Sequence, residues 1–257
     1  MFSAKLQEGA LLKKLVDAIK DVVGNINMEI GPNGLSFQAM DITHIALVTL
    51  TLKADGFSVF RCDRQFPIGI KLPQLSKILK CSDNTDSISL ECEADPSTLK
   101  IVFESAKHER KSVFNLNLVH FDQESLQIPD TNYSSKVSMP SSQFSKMVRE
   151  LSQLSESIKI STDKKGVNFS ISGEACSGEI DLRENPDSSP SEAVHIDVDE
   201  PVSNTFSLKF LNSFCKGDSL SESVNLMMSE NTPLVVEYKI EDMGFLKFYL
   251  APKLQEE

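Results

Sequence analysis

At 257 residues, 40% of them hydrophobic and 25% charged, the chain has the make-up of one large folded domain or two ordinary ones, which excludes a wholly disordered polymer. No run of 18 apolar residues exists to cross a membrane, and the opening MFSAKLQEGALLKKLVDAIKD carries acids from Glu8 onward without a long apolar core, so no signal peptide is expected. A net charge of −11 argues against gripping nucleic acid with the whole surface, while leaving room for a local basic face.

Helical spacing first appears over Gly9 to Asp21, and the hairpin NINMEI-GPNG-LSFQAM follows it, turning at 31–34. The second helical stretch, Pro73 to Cys81, precedes SISLECE-ADPS-TLKIVFE. Leu116 to Lys136 carries acids, Pro129 and no sustained period, as a connector lying extended across a surface would. A third helix over Ser141 to Leu154 leads into SIKIST-DKKG-VNFSIS. RENPDSSPSE at 183–192 reads as an exposed loop, and AVHIDV as a strand after it. The fourth helix, Lys209 to Lys216, runs into SVNLMMS-ENT-PLVVEYKI. The helices start at 9, 73, 141 and 209, at intervals of 64, 68 and 68. LPQLSKILK and MPSSQFSKMVR even share the order Pro, apolar residue, Ser-Lys. Self-similarity at a fixed interval predicts an α+β architecture of four helix-plus-hairpin repeats, paired into two halves.

The five cysteines (Cys62, Cys81, Cys92, Cys176, Cys215) form no CxxC pair, which predicts reduced thiols in the cytosol or nucleus. The four histidines (His44, His108, His120, His195) fall at no zinc spacing, so no metal and no cofactor is expected.

The helices differ in charge from the rest of the chain. Lys13, Lys14 and Lys20, Lys77 and Lys80, Lys146 and Arg149, Lys209 and Lys216 make nine basic residues against three acids, Asp17, Asp21 and Glu150. Spacings of three and seven put them on one face of each helix. The opposite face carries Leu11, Leu15 and Ile19; Leu75, Ile78 and Leu79; Phe144, Met147, Val148 and Leu151; Leu211 and Phe214. Each helix is therefore expected to bury an apolar stripe against a sheet and present a basic one. Lysines on a solvated helix face are common, but four of four in an acidic chain point to a polyanion. Double-stranded DNA, with one negative charge per about 1.7 Å of axis, is the natural complement. Acids on the far side of the sheets would be screened from it over a Debye length of about 8 Å. Without an Asn, Gln or Arg cluster for base edges, the contacts expected are to phosphates, with no sequence preference.

Several stretches resemble the proliferating cell nuclear antigen family of eukaryotic sliding clamps. They are LLKKLVDAIKD (11–21), FQAMDITHIALV (37–48), FRCDR (60–64), LSKILKC (75–81), SLQIPD (125–130), MPSSQF (139–144) and PLVVEYKIEDMGFLKFYLAPK (233–253), in order along essentially the whole chain. The resemblance implies the DNA-clamp fold: similar domains at 1–117 and 136–257, an interdomain connector at 118–135, and a homotrimeric ring with helices lining its hole. It also implies a nuclear processivity factor in DNA replication, repair and the cell cycle, and not an enzyme. The implied partners are duplex DNA, further copies of itself, DNA polymerases, the clamp loader, flap endonuclease and DNA ligase, with no membrane.

In the same family a peptide with a glutamine and paired aromatics docks into an apolar pocket beneath the connector. The matching residues are Met40, His44, Ile45 and Leu47; Leu126, Ile128 and Tyr133; Pro233, Tyr249, Ala251 and Pro252. The residues themselves make such a site plausible, because Pro252 cannot extend a strand and would leave Tyr249 at an exposed edge. Lys164, in the turn DKKG, matches the lysine for ubiquitin-like conjugation, and Phe114 with Ile180 matches the strands that meet between subunits. His120, Phe121 and Gln127 depart from the smaller, acidic or glycine residues usual in the connector, and RQFPIG (64–69) departs too. Two other readings compete. A Cys–His hydrolase would use Cys62 or Cys81 with His44, without a nucleophile motif to support it. A subunit of the heterotrimeric checkpoint clamp would share the fold, and its solution mass would distinguish it.

Overall fold

The protein is described by a computed structural model that covers residues 1–93, 96–107, 109–121, 126, 128, 131–173, 176–184 and 193–253. The turn at 94–95, most of the connector between 122 and 130, and the loop at 185–192 lie outside the described residues. Two compact units emerge: Met1–Ile42, Val48–Gln127 and Ile240–Leu246 form one, and Thr43–Leu47, Ile128–Lys239 and Lys247–Glu257 form the other.

The first unit runs β1 (Phe2–Leu6), α1 (Ala10–Ile19), β2 (Asn25–Gly31), β3 (Gly34–Met40), β4 (Ala46–Lys53), β5 (Val59–Cys62), β6 (Phe66–Lys71), α2 (Leu72–Leu79), β7 (Ser87–Cys92), β8 (Thr98–Glu104) and β9 (Lys111–Asn117). Its strands order as β5-β1-β7-β8-β9 and β4-β3-β2-β6. The second unit repeats this plan with β10 (Ser135–Pro140), α3 (Ser141–Leu151), β11 (Ser157–Asp163), β12 (Gly166–Ser172), β13 (Ser177–Leu182), β14 (His195–Val198), β15 (Val202–Ser207), α4 (Leu208–Phe214), β16 (Ser223–Met228), and most of β17 (Leu234–Ile240) and β18 (Gly244–Leu250), of which Ile240 and 244–246 fall in the first unit. Its orders, β14-β10-β16-β17-β18 and β13-β12-β11-β15, match the first unit position for position.

The repeats within a unit interlock. β1, which leads into α1, pairs with β7, which follows α2; β6, which leads into α2, pairs with β2, which follows α1. The second unit does the same through β10–β16 and β15–β11. The strand exchange thus ties the two repeats of each unit into one pair of sheets.

The helix starts show the same exchange. Among the described residues none of the four α-helices has a side-chain cap, although the first N–H groups of a helix need acceptors. They find them in the loop after the companion helix: Gly9 N donates to Asp86 O at 2.9 Å and Leu72 N to Gly24 O at 2.9 Å. In the second unit Ser141 N donates to Glu222 O at 2.8 Å and Leu208 N to Glu156 O at 3.0 Å. Pro73, at the start of α2, has no N–H to satisfy.

The predicted apolar stripes are buried at Leu15, Ile19, Leu75, Leu79, Phe144, Met147, Val148, Leu151, Leu211 and Phe214, while Leu11 and Ile78 sit half-exposed at their margins. All four helices end two or three residues earlier than predicted. α3 stops at Leu151 because the Ser152 hydroxyl turns back to Arg149 O, leaving Leu154 exposed. After Phe214 the chain tightens into a 3-10 turn over Cys215–Ser219. There Gly217 lies against the Tyr238 ring, where a Cβ would come within 2.4 Å of Cε2.

Candidate functional site

The predicted basic residues lie on the sides of the helices turned away from the sheets. Lys14, Lys77 and Lys80 are exposed in the first unit, and Lys146, Arg149, Lys209 and Lys216 in the second. Because α1 packs on α2 and α3 on α4, each unit gathers its basic residues on one two-helix layer. Arg149 Nη2 donates to Ser145 Oγ at 3.2 Å along its own helix, and Lys146 stands 4.0 Å from Glu150.

Two of the nine are different. Lys13 is half-buried and donates to Ser82 O and, at 3.3 Å, to Asn84 Oδ1, so it clasps the loop after α2. Lys20 is paired with Asp17 one turn back. The loop that Lys13 holds has a second clasp. Buried Asp86 accepts from Arg110 Nη2 at 2.7 Å and from Asp83 N at 2.9 Å. Burial alone would raise the Asp86 carboxyl, but the Asp83 N–H and the Arg110 guanidinium outweigh it and hold the group below the ordinary carboxylate value.

The second predicted surface is distributed along the chain as follows. In the first unit Met40 ends β3 half-buried, and exposed Leu126 donates its N–H to Gln38 Oε1 at 2.7 Å. In the second unit the segment 43–47 and the tail 249–252 lie side by side, Ala251 N donating to Ile45 O at 3.0 Å. The end of β18 is thus not the free edge expected from Pro252, and Tyr249 is half-buried. His44 takes the left-handed conformation (φ 59°) that turns this segment outward, with His44 and Ile45 exposed and Leu47 buried. Ile128, Tyr133, Ala251 and Pro252 are half-buried, and Pro233 is exposed. Burial, and then the neighbouring Tyr249, push the Tyr133 hydroxyl above the ordinary phenol value. Ile42, 97% exposed beside this segment, was not among the predicted residues; its only sequence signal is a β-branched residue in the loop word DITHI.

Phe114 lies on β9 and Ile180 on β13, each the outermost strand of its sheet, and Phe114 packs on Phe103 with ring centroids 5.5 Å apart. Lys164 is exposed in the β11–β12 turn, which Asp163 Oδ1 shapes by accepting from Lys165 N and Gly166 N at 2.7 and 3.1 Å. Among the described residues the cysteines of the hydrolase reading are not paired with His44. Cys62 Sγ donates to Arg64 O and Cys81 Sγ to Lys77 O, while burial pushes the Cys92 thiol up to about 11 and the Cys215 thiol up to about 12. Among the described residues no cluster of His, Cys, Asp and Glu could hold a metal ion.

Comparison with known proteins decides the family. Residues 1–127 match the family described as proliferating cell nuclear antigen, N-terminal domain, and residues 127–253 match proliferating cell nuclear antigen, C-terminal domain. The chain belongs to the proliferating cell nuclear antigen family. It is also 43% identical over 258 residues to the proliferating cell nuclear antigen of Chaetomium thermophilum, covering 100% of both chains. Members of this family are sliding clamps, processivity factors for DNA polymerases in replication and repair, and the doubled strand–helix–hairpin plan is the DNA-clamp fold.

Proposed function

We propose that three copies of this chain close into a nuclear ring whose helices line a hole for duplex DNA, with Lys14, Lys77, Lys80, Lys146, Arg149, Lys209 and Lys216 facing phosphates. One observation carries this reading: all seven side chains are exposed on helical layers whose other sides are buried, in a chain of net charge −11. Lys13 and Lys20, which are half-buried where the other seven are exposed, contribute less. Among the described residues β9 and β13 are the outermost strands of their sheets, and β-pairing between copies would join the two edges. Phe114 and Ile180 would then meet across the contact.

The second part of the reading concerns partners. The clamp loader, polymerases, flap endonuclease and DNA ligase would present a short peptide with a glutamine and two aromatics. Met40, His44, Ile45, Leu47, Leu126, Ile128, Tyr133, Pro233, Tyr249, Ala251 and Pro252 would receive it, with residues 118–135 serving as the connector between the domains. Lys164, exposed on a turn, would accept ubiquitin-like conjugation. In this reading the chain performs no covalent chemistry of its own.

Light scattering gives the first test: a mass three times that of the chain supports the ring, and a monomer at micromolar concentration refutes it. For that trimer, the logarithm of the affinity for a short duplex should fall steeply with the logarithm of salt concentration, as phosphate contacts require. A flat dependence would remove the basic helices from the site.

A further inference from the structure

Nothing in the sequence periodicity of 116–136 says where the connector should run, yet its described residues follow a defined track over the first unit. Leu118 N donates to Ser97 O at 2.9 Å and Val119 N to Gly69 O at 3.0 Å, so the chain leaves β9 along the outer edge of β6. It then crosses that strand. Asn27 Nδ2, on the neighbouring strand β2, donates to Phe121 O at 2.8 Å. Asn27 and Gly69 are direct partners in the β2–β6 ladder. The crossing is possible because position 69 has no side chain: a Cβ there would lie 1.7 Å from Val119 O and 3.0 Å from the Phe121 ring. Further on, Leu126 N donates to Gln38 Oε1 at 2.7 Å. The ladder that sets Met28 opposite Phe37 brings Gln38 beside Asn27. Gly69, Asn27 and Gln38 thus form one row across β6, β2 and β3, and the connector touches the row at each strand.

We infer that this row holds the connector in its working position, making Asn27 and Gly69, with Gln38, positioning residues for partner-peptide binding. They act through the connector. A connector fixed at 119, 121 and 126 presents Leu126 and Ile128 already ordered, so an incoming peptide does not have to immobilise the chain as it binds. Phe121, an aromatic residue in a segment otherwise poor in them, is held by its carbonyl to Asn27 and by its ring over Gly69.

This holds only if the connector walls the partner site as proposed above, so both are tested in one experiment. The probe is a synthetic peptide carrying a glutamine and two adjacent phenylalanines, titrated calorimetrically into the full-length assembled protein. Asn27→Ala should bind it roughly three- to tenfold more weakly, the range of one lost side chain–backbone hydrogen bond. Asn27→Asp, isosteric but unable to donate, should bind at least as weakly. Gly69→Ala should do the same if it folds; the Asn27 variants carry the test if it does not. Assembly mass and the salt dependence of duplex binding should not change, whereas a general loss of structure would move both. Ile128→Ala is the control. Weaker peptide binding for Ile128→Ala with unchanged binding for both Asn27 variants overturns the positioning role alone. Unchanged binding for Ile128→Ala overturns the partner site itself, and the positioning role with it.

Discussion

Lys13→Ala and Lys77→Ala remove the same charge from neighbouring helices and should have opposite phenotypes. Lys77 is exposed and among the described residues its side chain has no hydrogen-bond partner, so its alanine variant should lose only what it gives to DNA. Each lost phosphate contact lowers the slope of log affinity against log salt by about 0.9. Between 50 and 200 mM salt that changes the salt dependence about threefold, and more if several copies in the ring touch DNA at once. Lys13 is half-buried, with its ammonium bound to Ser82 O and Asn84 Oδ1. Its removal leaves the Ser82 carbonyl without a charged donor and costs about 1–2 kcal/mol. For a chain this size that is a few degrees in Tm, with little change in slope. Fluorescence anisotropy of a short duplex across a salt series, beside calorimetric melting, reads both quantities. If Lys13→Ala lowers the slope as much as Lys77→Ala and leaves Tm untouched, the division between clasping and DNA-facing lysines is wrong.

The remaining predictions concern stability and assembly. Asp86 has a folded-state pKa below its unfolded one, so the unfolded chain binds the proton first, and stability from this group is present above about pH 4 and lost as pH falls through the lower folded value. Asp86→Asn should therefore cost about 2 kcal/mol in urea unfolding at pH 7, and the gap from the parent should narrow progressively as the pH falls below about 4; a constant gap would show that the carboxylate charge is not what matters. Phe214 is fully buried and stacked on Phe248 with centroids 4.5 Å apart, so Phe214→Ala should cost about 3–5 kcal/mol by the same measurement. Phe114→Ala should weaken self-association by about 1–2 kcal/mol per contact, seen by light scattering as dissociation at higher protein concentration than for the parent. An unchanged mass profile would take Phe114 out of the subunit contact.

The repeat was legible because both of its signals are local. Helical period in KKLVDAIK or SKMVREL, and turn residues in GPNG or DKKG, are confined to windows of a dozen residues, and every predicted helix and hairpin is present. What interlocks the repeats was not legible. The acceptors for the helix starts are ordinary backbone carbonyls at Gly24, Asp86, Glu156 and Glu222, and a carbonyl has no sequence signature. The same limit explains Lys13: its spacing to Lys20 assigns it to the basic face, but its acceptor is a carbonyl 69 residues away. Short strands such as β5 and β6 were also missed, since four to six residues broken by Pro67 and Arg61 carry too little pattern.

The connector is the sharpest instance of order that is set entirely from outside the segment. Its own residues show no period, and at Val119, Phe121 and Leu126 its N–H and C=O groups go to another element's edge and to side chains rather than to a regular ladder. The information resides in three unremarkable positions on separate strands: a glycine that reads as a weak point in a strand, an asparagine unfavourable in one, and a glutamine that reads as a surface polar group. Each is poor sheet chemistry by itself, and the three become intelligible only when the ladder sets them in a row beneath Val119, Phe121 and Leu126. A sequence in which Phe121 is replaced by a smaller residue would no longer need the bare backbone at 69 to seat a ring, and only the 1.7 Å approach of Val119 O would still forbid a side chain there. The bare backbone at 69 is therefore demanded first by the connector's main chain at Val119 and only second by the ring at 121, so shrinking Phe121 alone would not admit a side chain at 69.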